Sequence, residues 1–142
     1  MIRDAYLAWT RRALPLLVAP LVFTAIVQGL SQTPGWAGGP DAPLGVRSMF
    51  IAVAVASLAY GRGIRQRDTK DRPLTVPRLL SLSWRLLVTA VLPSAVGAVL
   101  AMMTRSTLDF YLLLILTLVA LVLLYPRFDQ WVAWSTPTDG ES

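Results

Sequence analysis

Cysteine and histidine are both missing from this chain of 142 residues. Without cysteine there are no disulfides, thiol nucleophiles or thiolate metal sites. Without histidine there is no imidazole acid–base group and no histidine ligand for haem or a metal. Neither absence fixes the redox compartment. Charge is also scarce: 15% of residues are charged, against about 25% in an ordinary soluble domain. These charges are clustered, which leaves four long stretches nearly free of them. Lysine occurs once, as Lys70, beside twelve arginines, a bias that points to a GC-rich bacterial genome. No internal segment is rich enough in Pro, Gly or Ser to separate two domains, so residues 1–142 are expected to form one membrane domain.

What is present is hydrophobic. Apolar residues make up 55% of the chain and the mean hydropathy is +0.57, the profile of a multi-pass membrane protein. A crossing takes about 20 mostly apolar residues for roughly 30 Å of hydrocarbon. Four segments meet that need, at about 13–30, 46–60, 83–103 and 108–125. The AVAVA alternation at 52–56 would read as a strand in water, but an isolated strand in lipid leaves its backbone groups unpaired, so a helix is expected. Thr10-Arg11-Arg12 ahead of an apolar run resembles a secretory signal. The run is long and proline-interrupted and lacks a small-x-small cleavage site, so a retained first helix is expected. The fold class expected is an all-α integral membrane protein whose four helices form two antiparallel hairpins.

Charge placement orients the spans. Arg3, Arg11, Arg12, Arg62, Arg65, Arg67, Lys70, Arg72, Arg78, Arg85 and Arg127 fall on one side, Arg47 and Arg105 on the other. Eleven against two in short loops is a positive-inside pattern. It predicts cytoplasmic N and C termini, a basic cytoplasmic loop at 61–78 and an interfacial tail at 126–142. It also accounts for the pI of about 10.4 without nucleic acid, which is not an expected partner.

The two halves echo each other. Arg12 precedes Pro20 by eight residues, as Arg85 precedes Pro93, and AYGR at 59–62 matches LYPR at 124–127. Either duplication or the ordinary arginine preference of inward-facing helix ends produces this pattern. Each matched proline removes one helix hydrogen bond and is a candidate kink.

No Asp, Glu, Lys or Arg falls at mid-depth in any span, and membrane catalysis or ion coupling ordinarily needs one there. Arg47 and Arg85 sit near helix ends, where they can reach water, and Asp109 at the outer edge of span four. No catalytic residue, metal site or cofactor is therefore expected. The deepest polar pair is Thr24 and Gln28, one turn apart beyond Pro20, suited to helix–helix hydrogen bonds or to a small polar site. Gly97 and Ala101, Ser94 and Ala98, and Ala52 and Ala56 form small-xxx-small pairs that permit close helix packing. Spans two and three are accordingly expected inside, with the leucine-rich fourth against lipid or a partner.

The arginine-rich loop, Arg62, Arg65, Arg67, Lys70 and Arg72, together with Arg127, suits anionic lipid headgroups or an acidic partner, or is topology signal alone. Trp131 and Trp134 follow at three-residue spacing from Phe128 and are expected in the interface, against lipid or another subunit. Residues 1–12 read as a short interfacial helix. The role expected is a non-catalytic membrane subunit, an accessory, assembly or scaffold component of a larger bacterial inner-membrane complex. The alternative is a small oligomeric transporter or lipid-handling protein. Membrane lipids and other membrane subunits, or further copies of the chain, are the expected partners.

Overall fold

The computed structural model describes residues 1–36 and 43–137. The described residues form five helices: α1 (Ile2–Ser31), α2 (Leu44–Asp68), α3 (Val76–Thr104), α4 (Thr107–Leu124) and a short α5 (Phe128–Ser135). The first four are long and apolar enough to cross a membrane. This is a multi-pass membrane protein with an all-helical described fold.

The helices outrun the apolar segments. α1 is continuous from Ile2, so residues 1–12 are not a separate interfacial helix. Ala, Leu and Arg all favour helix, and Pro15 and Pro20 are carried inside it, as membrane helices tolerate. α2 likewise continues through Arg62, Arg65 and Arg67 to Asp68. Much of the segment expected as a loop at 61–78 is thus helix, and the connection is only residues 69–75. Arginine and glutamine are good helix formers, and Gly63 alone does not stop the run. The connection between α1 and α2 includes residues 37–42, which lie outside the described residues.

Two residues, Arg105 and Ser106, turn α3 into α4. Arg105 is left-handed (φ 52°), the conformation that closes a helix C-terminus most tightly. Its guanidinium donates to the carbonyl of Gly35, 3.0 Å away. Gly35 has a φ of 85°, which favours glycine. Residues 35, 47, 105 and 109 meet at this far end through Arg105–Gly35 and Arg47–Asp109 contacts. Tyr6, Ser83, Leu123 and Trp131 gather at the other, the tail end. Successive long helices therefore alternate in direction.

α3 is the centre of the bundle. Its most apolar stretch is 61% buried, against 33% for α4 and 17% each for α1 and α2. Ser83, Ala90, Ser94, Gly97, Ala98 and Ala101 are all buried along it. Small side chains here let three neighbours approach one helix. α1 packs through Val27 beside Ala98, Ala101 and Phe110, and α2 through Ala54 beside Leu100 and Leu113. Among the described residues no Cα of α1 comes within 8 Å of a Cα of α2. The first expected hairpin is thus spread across the bundle rather than packed on itself.

Span two is also not interior. α2 buries Ala54, Ser57 and Gly61, whereas Ala52 and Ala56 are exposed. The small pair lies on the wrong face for α3. The fourth span, for its part, packs along α3 through Phe110, Leu113, Thr117, Ala120 and Leu124.

Two glycines mark the tightest approaches. A methyl at Gly97 would stand 2.8 Å from Cβ of Leu113 and 3.5 Å from the carbonyl of Phe110. Those atoms are fixed to the α4 backbone, so the helices themselves must part. A methyl at Gly61 would meet the Leu124 Cδ1 at 2.6 Å and the Thr89 methyl at 3.1 Å, and side-chain ends can rotate away. Gly97→Ala is expected to cost about 1–2 kcal/mol and Gly61→Ala less, read as thermal unfolding in detergent. Equal costs would refute this difference between backbone and side-chain neighbours.

Candidate functional site

The tail end of the bundle holds most of the distinctive chemistry. Trp9 and Trp131 are 1% and 0% exposed there, within a cluster that includes Tyr6, Trp84, Tyr125 and Phe128. Ring centroids lie 5.3 Å apart for Tyr6–Trp131 and 6.0 Å for Trp9–Trp131, with Trp9–Trp84 at 6.4 Å edge-on. Tilted and edge-on contacts of this kind add about 0.5–1.5 kcal/mol each beyond area burial. The Trp131 indole N–H donates to the Ser83 hydroxyl at 2.9 Å. The Trp9 indole N–H has no acceptor among the described residues.

Trp131 is therefore buried within the bundle, and Trp134, itself buried, borders a cleft beside α2. α5 folds back under the bundle, because Tyr125 and Pro126 end α4 and Gln130 Oε1 accepts the Arg127 backbone N–H to start a new helix. The turn points Trp131 into the cluster while Phe128 stays 38% exposed. The carbonyl of Trp134 accepts the Leu74 N–H at 2.8 Å, tying the α2–α3 connection to α5.

Arg65 joins these elements. Its guanidinium lies 5.6 Å from the centre of the Trp134 ring and donates to the Leu123 carbonyl at 2.7 Å. Leu123 is in the last turn of α4, where carbonyls lack helical partners. Arg62, Arg67, Lys70, Arg72 and Arg127 are exposed.

Two clefts open here. One, of about 340 Å³, sets Arg67, Arg78 and Arg85 against Asp68 and Asp71, with Arg85 and Asp68 3.8 Å apart. The other, of about 650 Å³, runs between α2 and the end of α4. Arg62, Arg65 and Arg72 line it, and no acidic residue does.

The remaining sequence candidates are dispersed. The Thr24 hydroxyl donates to the Pro20 carbonyl in its own helix at 2.8 Å. Gln28 Nε2 donates to the Tyr111 hydroxyl of α4. The pair therefore does not converge on one site. Pro20, Pro93, Gly97 and Ala101 are buried packing positions.

An ionisable pair that the sequence placed at helix edges meets at the far end, with only its carboxylate buried. Asp109 is 7% exposed and accepts the Thr104 hydroxyl at 3.0 Å. Arg47 Nε lies 3.2 Å from the same carboxylate oxygen, but off the hydrogen-bond line, so the contact is a charge pair. Asp109 stands in the first turn of α4, where a carboxylate suits the helix N-terminus. Its partner was not visible, since Arg47 is 62 residues away in sequence. Among the described residues no three acidic, histidine or cysteine side chains gather as metal ligands.

No protein-family model matches the chain, and no curated protein or solved structure is similar to it at a significant level.

Proposed function

We propose that this chain is a non-catalytic subunit, an accessory, assembly or scaffold component of a larger complex in a bacterial inner membrane, with both termini in the cytoplasm. The observation that carries the reading is the separation of α1 from α2. A bundle closed for its own stability would bring its two least buried helices together. Here α3 and α4 hold them apart, and both keep broad apolar faces with the most apolar stretch of each only 17% buried. Such faces accept other membrane helices as readily as lipid. The orientation is supported by the arginines, which crowd the tail end of the bundle.

The interior also favours support over transport. Ser94, Thr117 and Thr89 donate to carbonyls in their own helices, and Thr24 and Gln28 are spent on separate partners. The repeated hairpins that motivate a transporter reading are thus left without a shared polar site. Lipid handling retains one supporting feature, the basic cleft at the tail end.

Extraction into nanodiscs from the native membrane tests the proposal. The chain is expected to co-purify with at least one other membrane protein at fixed stoichiometry. A homogeneous assembly of this chain alone that moves a solute across liposomes would overturn it.

A further inference from the structure

We propose that the cleft between α2 and the end of α4 is a binding site for one anionic phospholipid of the cytoplasmic leaflet. The support lies in how one stripe of α2 changes along its length. Val55, Leu58, Ala59, Arg62, Arg65 and Thr69 recur at three- and four-residue steps and line the same cleft. That spacing places them on one helix face. The first three are apolar, the next two are arginines. From Val55 to Arg65 the stripe rises about 15 Å, so it passes from hydrocarbon depth to headgroup depth on one wall.

The facing wall changes at the same level. Leu123 and Leu124 continue the apolar part, and Trp134 stands beside Arg65 at the top. Arg72 closes the cleft from the α2–α3 connection. A cleft of about 650 Å³ with this lining fits a phosphate and glycerol above and the upper part of an acyl chain below.

Charge separates this cleft from its neighbour. Asp68 and Asp71 both line the smaller cleft, where they offset Arg67, Arg78 and Arg85. The larger cleft has three arginines and no carboxylate, so it carries uncompensated positive charge. Arg65 spends one N–H on Leu123 and retains others, since a guanidinium has five. Arginines in such a group engage phosphate oxygens two at a time. The slot below the arginines is what distinguishes a lipid from a soluble anion. This inference rests on the orientation proposed above but not on the subunit role, because its test scores lipid and not complex formation.

The test is native mass spectrometry of the full chain released from nanodiscs of equal phosphatidylglycerol and phosphatidylcholine. The wild type is expected to retain one phosphatidylglycerol. Arg62 and Arg72 are exposed, Arg72 donating to the Thr69 carbonyl at the end of α2, and R62Q/R72Q is expected to lower the preference for phosphatidylglycerol by about 30-fold. R11Q/R12Q removes the same charge from exposed positions of α1 and is expected to leave the preference within about threefold of wild type. A59F fills the apolar slot and is expected to lose the retained lipid with the arginines intact. Near-ultraviolet circular dichroism of the tryptophans verifies that each variant is folded. Equal effects of the two arginine pairs, retention by A59F, or equal retention of phosphatidylcholine by the wild type would each overturn the site.

Discussion

Trp131→Ala is expected to destabilise the protein by about 3–5 kcal/mol, the range for removing a fully buried tryptophan. The indole fills the space between α1, α3 and α5, touching Tyr6 and Trp9 and bonding Ser83. Its loss leaves a cavity that three elements would have to close together. It also unfastens α5, whose Trp134 carbonyl holds the Leu74 N–H. Trypsin should then cut after Arg127 well below the global melting temperature. Trp131→Phe keeps most of the ring packing but strands the buried Ser83 hydroxyl, for about 1–3 kcal/mol. Phe128→Ala, at a position 38% exposed, should cost only about 1 kcal/mol. Thermal unfolding in detergent with timed proteolysis measures all three. If Trp131→Ala and Phe128→Ala fell at the same level, α5 would be an external appendage and not part of the core.

Arg47→Ala is expected to cost about 2–3 kcal/mol, more than Asp109→Ala at about 1–2 kcal/mol. The asymmetry follows from burial. The Asp109 side chain is 8% exposed and that of Arg47 34%. Removing Arg47 leaves a buried carboxylate with Thr104 as its one side-chain donor among the described residues. Removing Asp109 leaves a cation that can turn to water. Both values lie at or below the 3–5 kcal/mol of a fully buried pair, because Arg47 is already a third in solvent. The double variant should recover part of the Arg47→Ala loss. Chemical denaturation in mixed micelles across the full cycle decides this, and equal, additive costs would show that the pair does not tie α2 to α4.

These two sites differ in how far the sequence revealed them. Phe128, Trp131 and Trp134 were legible as the aromatic face of a further helical turn, and α5 does span them. Their destination was not legible. An amphipathic turn after a membrane span has the same pattern whether it lies on lipid or folds under its own bundle. Only Ser83, Tyr6 and Trp9, far away in the chain, decide between the two. Arg47 and Asp109 were each visible as a charge at a helix edge, where long side chains ordinarily reach water. Their pairing depends on how α2 leans on α4.

The basic segment shows the same division. Its arginines were legible as a cluster, but not as two clefts. Helical continuation of α2 to Asp68 sorts them, with Arg62 and Arg65 on one side and Arg67 with Asp68 on the other. A loop would have mixed the charges.

By itself, the sequence determined that four apolar helices form, because a mostly apolar segment placed in lipid has no other way to satisfy its backbone. It determined the asymmetry of charge, which is a count along the chain. It determined that α3 carries the small residues needed at a crowded centre. The tertiary structure alone decided that α1 and α2 stay apart, that the small face of α2 at Ala52 and Ala56 is unused, and that α5 is interior. Hydrophobic periodicity states how much surface a helix must cover, but in a chain apolar all round it does not state which neighbour covers it. That choice falls to shape, and here it turns on contacts such as Gly97 against Leu113.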